Sequence, residues 1–339
     1  MLLLKKDQVT NWLNKLMQTY QVFAPVKEDN SFYFRQLGSS DQATLDYANS
    51  VISPKEVIFP RSEKLFCYRN EAGDVQLTEQ IDEEKKVVFG IRPCDAKSFL
   101  LLDKVFDGDE YVDPYYLTRR NNTVLVGLGC NQPCTTCFCT ALGGGPFSTE
   151  ALDIILTDIG DQYLVEAATE RGKELLSGMD LPAAGQEAQS AAQAVKASAD
   201  CSSPVDLGGL KYQLDVNFND PIWALLAERC LGCAACTYSC PTCHCFDIVD
   251  EVNGKEGCRI RNWDACMFPL FTLHGSGHNP RPTGKERFRQ RVMHKFKYFV
   301  DKYGATACVG CGRCITNCPV NIDIRQVIEQ IRQAGGDQQ

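Results

Sequence analysis

Two groups of four cysteines near the C-terminus share the spacing C-x2-C-x2-C-x3-C and are each followed by proline. The first group is Cys230, Cys233, Cys236 and Cys240, and the second is Cys308, Cys311, Cys314 and Cys318. In bacterial ferredoxins with this spacing, the first three thiolates hold one cubane and the fourth ligates the neighbouring cubane. Small residues such as Gly232 and Gly310 permit the tight turn that this wrapping requires. The repeat therefore predicts two adjacent [4Fe-4S] clusters.

The ligands of these two clusters are expected to be exchanged between the groups. We expect cluster 1 to be held by Cys230, Cys233, Cys236 and Cys318, and cluster 2 by Cys308, Cys311, Cys314 and Cys240. Structural zinc is disfavoured, because zinc sites pair two short Cys or His motifs and need no reciprocal pattern of eight cysteines. Irons saturated by thiolates offer a substrate no open position. The pattern favours conduction of single electrons, and no active site is expected.

Further cysteines follow two predicted strands in the N-terminal half. Cys94 comes just after the strand at 87–91, and Cys130 just after the strand at 123–128. If a helix joins these strands as parallel neighbours, both cysteines lie at the carboxyl edge of the sheet, where α/β proteins build sites. The same loop also carries Cys134, Cys137 and Cys139. A third iron-sulfur cluster is favoured, while zinc and structural or redox-sensing thiols stay open. The preferred ligands are Cys94, Cys130, Cys137 and Cys139.

The spacing of Cys130, Cys134 and Cys137 is also the cluster signature of radical S-adenosylmethionine enzymes. Those enzymes usually carry an aromatic residue before the third cysteine, where this chain has Thr136. They also need a barrel, for which residues 130–205 leave no room. This enzyme class is therefore disfavoured.

The elements that must position these cysteines fall into two regions. Apolar runs alternate with turns in the first region and predict an α/β domain over residues 1–180. Residues 181–205, rich in Ala, Gln and Ser, predict a surface helix or linker. Residues 206–339 are expected to form the domain that holds clusters 1 and 2.

This second region is predicted to be largely helical. Its clearest element is a helix over 283–303, which begins with a capping box of Thr283 and Glu286 and ends at Gly304. Between Cys240 and Cys308 lie 67 residues, more than a compact bacterial ferredoxin needs. Here the chain resembles the α-helical ferredoxin domain of iron-sulfur subunits in fumarate reductases and heterodisulfide reductases.

Composition excludes several classes of function. The 339 residues include 19 Cys and only 4 His, and the formal net charge is -8. An odd cysteine count without a signal peptide favours reduced, metal-binding thiolates in the cytoplasm over a disulfide framework. The negative charge disfavours nucleic acid as a partner, since that binding depends on Lys and Arg at phosphates. No apolar run is long enough for a membrane span.

The order of several motifs resembles one protein family. The motifs are Ile91-Arg-Pro-Cys-Asp95, Gly129-Cys130, Thr136-Cys-Phe-Cys-Thr140, Gly143-Gly-Gly-Pro146, Cys240-Pro-Thr-Cys-His-Cys245, Trp263-Asp-Ala-Cys-Met267 and the segment 291–319. Together they resemble the iron-sulfur electron-transfer subunit of anaerobic sulfite reductase and the β subunit of cytoplasmic sulfhydrogenases. They are equally similar to a related subunit of flavin oxidoreductases coupled to heterodisulfide reductase. The resemblance spans most of the chain but not residues 170–215.

The resemblance implies an electron carrier within a larger complex. One partner would be a flavin subunit with FAD and a [2Fe-2S] cluster that oxidises NAD(P)H, and the other a terminal reductase or hydrogenase subunit. For a third [4Fe-4S] cluster the implied ligands agree with the preferred set, but Cys134 departs from the family pattern and is an alternative fourth ligand. The terminal acceptor and the direction of flow stay open. The alternative function is a stand-alone redox-sensing or metal-stabilised interaction protein.

Six cysteines and a basic segment have no assigned role in this scheme. Packing against the clusters is favoured over a further metal site for Cys243, Cys245, Cys258 and Cys266. Cys67 and Cys201 are expected to be isolated thiols. The basic segment 281–297 either offsets the charge of the clusters, raising their reduction potentials, or forms a docking face for an acidic partner.

Overall fold

The computed structural model describes residues 1–71, 74–201 and 205–334. Two compact units divide the chain. Unit 1 comprises Met1–Ile58, Asp82–Ser203 and Val309–Cys311, and unit 2 comprises Phe59–Ile81, Pro204–Cys308 and Gly312–Gln339. The predicted domains at 1–180 and 206–339 differ from these units at 59–81 and 309–311. Residues 202–204 of the predicted linker and the terminal residues 335–339 lie outside the described residues.

Strands and helices are numbered in chain order. The strands are β1 (Leu2–Lys5), β2 (Gln21–Glu28), β3 (Ser31–Gln36), β4 (Ser62–Glu71), β5 (Asp74–Glu79), β6 (Lys86–Ile91), β7 (Thr123–Leu128), β8 (Ile154–Asp158), β9 (Gln162–Ala167), β10 (Phe246–Asn253) and β11 (Glu256–Trp263). The helices are α1 (Val9–Leu16), α2 (Pro93–Phe106), α3 (Pro114–Asn121), α4 (Glu170–Ser177), α5 (Gln186–Ser198), α6 (Leu210–Val216), α7 (Ile222–Ala227), α8 (Ala235–Tyr238), α9 (Gly284–Met293), α10 (Phe299–Tyr303), α11 (Arg313–Thr316) and α12 (Ile324–Ala334).

Unit 1 is built on a mixed sheet with the strand order β1-β9-β8-β7-β6-β2-β3. The strands β2, β6, β7 and β8 run parallel, while β1, β3 and β9 pair antiparallel at the edges. Every residue of β6 and β7 is buried, as expected of parallel strands covered on both faces. The strands predicted at 87–91 and 123–128 are confirmed as parallel neighbours, joined through α2 and α3. The predicted linker includes α5, which packs on β8 and β9.

Unit 2 contains an antiparallel sheet with the order β10-β11-β4-β5. The prediction of a largely helical C-terminal region was therefore wrong for residues 246–263, which form a β-hairpin. Asn253-Gly254 marks its turn, where Gly254 has a φ of 64°, and Asn-Gly is a strong hairpin signal. The hairpin needs a third strand for stability, which β4 supplies from the N-terminal half of the chain. This long-range pairing places 59–81 in unit 2.

A disulfide joins the sheet's two central strands, β4 and β11. Cys67 and Cys258 lie opposite each other in register and are bonded. The expectation that Cys258 is a thiol packed against the clusters was therefore wrong, as was the expectation that Cys67 is an isolated thiol. Its partner lies 191 residues away in sequence, so no local pattern indicated the pair.

The helix predicted at 283–303 is confirmed as α9 and α10 joined by one π-helical turn at His294–Tyr298. The Thr283 amide donates to Glu286 Oε2 at 3.0 Å, and the Glu286 amide donates back to the Thr283 side chain, which completes the capping box. Gly304, with a φ of 67°, ends the helix. Over the described residues, no helix combines the length and apolar character needed to cross a bilayer.

Candidate iron-sulfur sites

One cavity in unit 2 brings together the cysteines expected for cluster 1. It encloses about 50 Å3. Its cysteine lining is Cys230, Cys233, Cys236, Cys314 and Cys318. Apolar side chains, including Met267 and Phe288, and the charged Arg291 complete the wall. Cys314 and Cys318 reach this cavity from the second cysteine group, and reciprocal ligation requires one such cysteine. Thiol donors, in a space lined otherwise by apolar side chains and one cation, fit an iron-sulfur cubane.

The backbone of both cysteine groups turns in the same way. In the first group Gly232 and Ala234 have φ values of 67° and 62°, and in the second Gly310 and Gly312 have 65° and 74°. These left-handed residues flank the second cysteine of each group. Ala234 adopts this conformation despite its Cβ, and such strain concentrates at functional sites. Each group thus has a pair of left-handed residues around its second cysteine.

A buried arginine contacts the cluster 1 cysteines. Arg291 on α9 is 5% exposed, and its Nε donates to Cys236 Sγ at 3.0 Å while Nη2 donates to the Cys236 carbonyl at 3.0 Å. The Ile322 amide donates to Cys318 Sγ at 3.2 Å. Burial alone would lower the pKa of Arg291, but the thiolates, Cys236 foremost, raise it well above its usual value. The guanidinium is therefore a fixed positive charge beside the sulfurs.

A buried lysine plays the corresponding part at a cysteine of the cluster 2 set. Lys295 is 4% exposed, and its Nζ donates to Cys240 Sγ at 3.1 Å, Thr242 Oγ1 at 3.1 Å and the Ala307 carbonyl at 3.0 Å. A hydrogen bond from Cys243 lowers the pKa of Cys240 well below its usual value against the effect of burial, and Lys295 and Arg291 lower it further. The Cys240 sulfur is therefore stabilised as the thiolate that iron binding needs.

The remaining cysteines of the cluster 2 set are divided between the units. Cys308 and Cys314 belong to unit 2 with Cys240, and Cys311 belongs to unit 1. Within unit 1, Cys311 is buried, and its carbonyl accepts a hydrogen bond from Asn49 Nδ2 at 3.0 Å.

Unit 1 gathers its own cysteines at the carboxyl edge of the parallel strands. Cys94 lies in the first turn of α2 after β6, and Cys130 follows β7. Buried Arg92 joins the two strand ends, since its Nη1 donates to the Gly129 carbonyl at 2.6 Å and its Nε to the Ala48 carbonyl at 3.1 Å. The motif Ile91-Arg-Pro-Cys-Asp95 includes this arginine, but sequence reasoning gave it no role.

Cys139 and Cys201 are in contact in unit 1. Their Sγ atoms are 3.5 Å apart, and Thr140 Oγ1 donates to the Cys201 carbonyl at 2.8 Å. The expectation that Cys201 is an isolated thiol was therefore wrong. Burial raises the pKa of Cys139 to about 12, with Cys201 adding to the effect.

The loop cysteines interact with one another as well. The Cys137 amide donates to the Cys134 carbonyl at 2.9 Å, and contact with the Cys134 thiol raises the pKa of Cys137. Burial raises the pKa of Cys130, and neighbouring Cys134 and Cys201 raise it further. The thiols of Cys130, Cys137 and Cys139 therefore favour the protonated form, and a bound metal ion would have to displace those protons. The cysteines gathered at this edge of the sheet, which we call the unit 1 thiols, are Cys94, Cys130, Cys134, Cys137, Cys139 and Cys201.

The peptide Val309–Cys311 packs within unit 1 against the loop of these thiols. The Phe138 amide donates to the Gly310 carbonyl at 2.8 Å, and Cys137 Sγ donates to the Cys311 carbonyl at 3.7 Å. A Cβ at Gly310 would lie 2.5 Å from the Phe138 carbonyl carbon, so the backbones of these two segments approach each other closely. Residues Val309–Cys311 of the second ferredoxin motif are thus hydrogen-bonded to the loop that carries Cys137 and Cys139.

Other metal-binding side chains in unit 2 pair among themselves. Contact with Cys245 raises the pKa of buried Cys266. The rings of His244 and His294 lie 5.3 Å apart between centroids. Across the three described ranges, no three Cys, His, Asp or Glu side chains are grouped as ligands of a single metal ion.

The repeated cysteine turns and the cavity that they share define an iron-sulfur protein of the ferredoxin type. Residues 229–322 match the family model of a 4Fe-4S dicluster domain, which gives this part of the chain two [4Fe-4S] clusters. Sulfhydrogenase 2 subunit beta of Pyrococcus furiosus is 34% identical over 342 residues, covering 97% of this chain and 98% of the relative. No solved structure gives a significant match. The chain belongs to the family of sulfhydrogenase β subunits.

Proposed function

We propose that the chain relays single electrons between two other subunits, one a flavin subunit that oxidises NAD(P)H and the other a terminal subunit. The observation that carries this proposal is the cavity proposed for cluster 1, where Cys314 and Cys318 of the second motif join three cysteines of the first. Such reciprocal ligation belongs to paired clusters that pass electrons between them. The proposed ligands of cluster 1 are Cys230, Cys233, Cys236 and Cys318, and those of cluster 2 are Cys308, Cys311, Cys314 and Cys240.

A third [4Fe-4S] cluster in unit 1 extends the proposed relay. Its proposed ligands are Cys94, Cys130, Cys137 and Cys139, with Cys134 as the alternative. The parallel register of β6 and β7 supports this set, because it puts Cys94 and Cys130 at one edge of the sheet. Cys201 touches Cys139 and is a further candidate in place of it.

The relative is named as a sulfhydrogenase subunit, so a hydrogenase-type terminal partner is the first to test. The proposed complex places this chain between that partner and a subunit with FAD and a [2Fe-2S] cluster. Co-expression followed by affinity purification of this chain tests the assembly. Recovery of a stable complex with both subunits, and electron transfer from NAD(P)H to the terminal subunit only when this chain is present, is the expected result.

Analysis of iron and acid-labile sulfide in the anaerobically purified full chain tests the cofactors. The relay predicts about 12 iron atoms with equal sulfide, or about 8 if unit 1 carries no cluster. After reduction, electron paramagnetic resonance should show clusters that interact magnetically. Zinc in place of iron, or isolated cluster spectra, would contradict the relay and favour a metal-stabilised interaction protein.

A further inference from the structure

Two buried cations on one face of the 283–303 helix point at sulfurs of different cysteine sets. Arg291 and Lys295 are four residues apart, so they are neighbours on the helix surface. Arg291 lies 3.0 Å from Cys236 Sγ and Lys295 lies 3.1 Å from Cys240 Sγ. No carboxylate within the described part of the chain forms an ion pair with either cation. Their charge is therefore balanced by sulfur.

Leaving two such cations buried without a negative partner would be very unfavourable. Thiolate-ligated cubanes supply that negative charge. Each reduction adds one more negative charge to a cubane, so a fixed cation at hydrogen-bond distance from a ligand sulfur stabilises the reduced form. The effect is large in a buried site, because the surroundings screen the attraction poorly. Hydrogen bonds to the sulfurs are among the features that set cluster potentials.

The two cations donate hydrogen bonds to proposed ligands of different clusters. Arg291 lines the cluster 1 cavity and bonds Cys236, a proposed ligand of cluster 1. Lys295 bonds Cys240, a proposed ligand of cluster 2, and is anchored there by Thr242 and the Ala307 carbonyl. We infer that the buried positive charge of Arg291 raises the reduction potential of cluster 1, and that the buried positive charge of Lys295 raises the reduction potential of cluster 2. The inference rests on the proposed relay and on its ligand assignment.

The same helix offers a matched control. Lys297 lies two residues beyond Lys295, but its Nζ pairs with Asp215 at 2.8 Å and Asp301 at 2.7 Å. Replacing Lys297 by Gln removes one positive charge from the helix without removing a contact to sulfur. Any effect of net charge or of helix stability alone should therefore appear in Lys297→Gln as well.

The experiment is a redox titration of the full chain under anaerobic conditions, followed by electron paramagnetic resonance. A Cys233→Ser variant, altered at an exposed cysteine of the cluster 1 cavity, identifies which signal belongs to cluster 1. Arg291→Gln should lower the potential of cluster 1 more than that of cluster 2, and Lys295→Gln should do the opposite. Each main shift should reach tenfold in the reduction equilibrium, which is 59 mV for one electron. Lys297→Gln should leave both potentials unchanged.

The outcomes separate this inference from the relay beneath it. Absence of iron and sulfide from the wild-type chain would contradict the relay itself. Normal iron content with unchanged potentials in both Gln variants would overturn the inference and leave the relay standing, as would equal shifts at both clusters.

If a Gln variant loses iron, variants that keep the positive charge show whether the lost charge or the lost packing is the cause. If Arg291→Lys and Lys295→Arg then retain full iron and potentials near those of the wild type, the charge is responsible. If these variants lose iron too, the side chains act by packing, and the inference is wrong.

Discussion

The Sγ atoms of Cys139 and Cys201 lie 3.5 Å apart although 62 residues separate them in sequence. The intervening chain includes β8, β9, α4 and α5, which return Cys201 to the carboxyl edge of the sheet in unit 1. The unit 1 thiols therefore come from the start of α2, from the loop after β7 and from the end of α5. These six thiols are more than the four that one cubane needs, so an experiment has to distinguish the thiols that bind iron from those that only lie beside it.

Cys94→Ser should remove about four iron atoms and an equal amount of sulfide per chain. Cys94 stands at the beginning of α2, where the rigid helix fixes it beside the end of β7. The two dicluster signals should persist in electron paramagnetic resonance, because Cys94 belongs to neither of the ligand sets proposed for clusters 1 and 2. Cys139, and not Cys201, belongs to the preferred ligand set, so Cys201→Ser should retain its iron. An unchanged iron count in Cys94→Ser would refute the third cluster, and loss in Cys201→Ser but not in Cys139→Ser would make Cys201 the ligand.

Local patterns in the sequence were sufficient for the parts of the structure that depend on near neighbours. The capping box at Thr283 and the glycine at 304 bound the long helix correctly, because a cap is a contact across three residues. The cysteine spacing likewise predicted that Cys318 would join Cys230, Cys233 and Cys236, and all four line one cavity, but it did not predict Cys314 in that lining.

Contacts between distant segments could not be predicted in this way. The pairing of β4 with β11 and the packing of Val309–Cys311 in unit 1 depend on where whole elements meet. The capping residues of the 283–303 helix predicted where it begins and ends, but not that Arg291 and Lys295 would be buried. Only the sulfurs that they contact explain why charged residues stand there.

Gly310→Ala should disrupt the loop that carries Cys139. Gly310 and Gly304 have nearly equal positive φ values of 65° and 67°, so alanine costs about 1 kcal/mol at each for the left-handed backbone. A Cβ at Gly310 would also lie 2.6 Å from the Cys139 amide nitrogen, whereas Gly304 has nothing within 4 Å. Gly304→Ala should lower the melting temperature slightly and keep all its iron, and Gly310→Ala should lose iron as well. Equal iron contents in the two variants would show that the close approach does not matter.

The disulfide between Cys67 and Cys258 should be detected by mapping alkylated peptides with and without reductant. Replacing both cysteines by serine should lower the stability of the unit 2 sheet by about 2–5 kcal/mol, since the disulfide reduces the conformational entropy of the unfolded chain. Iron content should not change, because neither cysteine belongs to a proposed ligand set. Reductant should destabilise the wild type to the level of the double variant and leave the variant unaffected. Complete alkylation of both cysteines in unreduced protein would contradict the bond.

His294 should make stability decline as the pH falls below about 6.5. Burial, and then the neighbouring charges of His244, Lys295 and Arg281, lower its pKa to about 3, while Cys240 opposes them. Between about pH 3 and pH 6.5 this histidine binds a proton in the unfolded chain but not in the folded chain, so protonation favours unfolding. From pH 7.5 to 5.5 the expected loss from this residue is about 1.4 kcal/mol.

Thermal unfolding of the cluster-loaded wild type and of His294→Gln at the two pH values measures this contribution. Glutamine keeps a polar side chain but cannot gain the proton, so the variant should lose less stability between pH 7.5 and 5.5 than the wild type does. A general destabilisation by the substitution lowers both melting temperatures and cancels in the comparison. Iron content is recorded at each pH, so that loss of a cluster is not mistaken for titration of the histidine. Equal pH dependence in the two proteins would show that His294 is not held neutral by its surroundings.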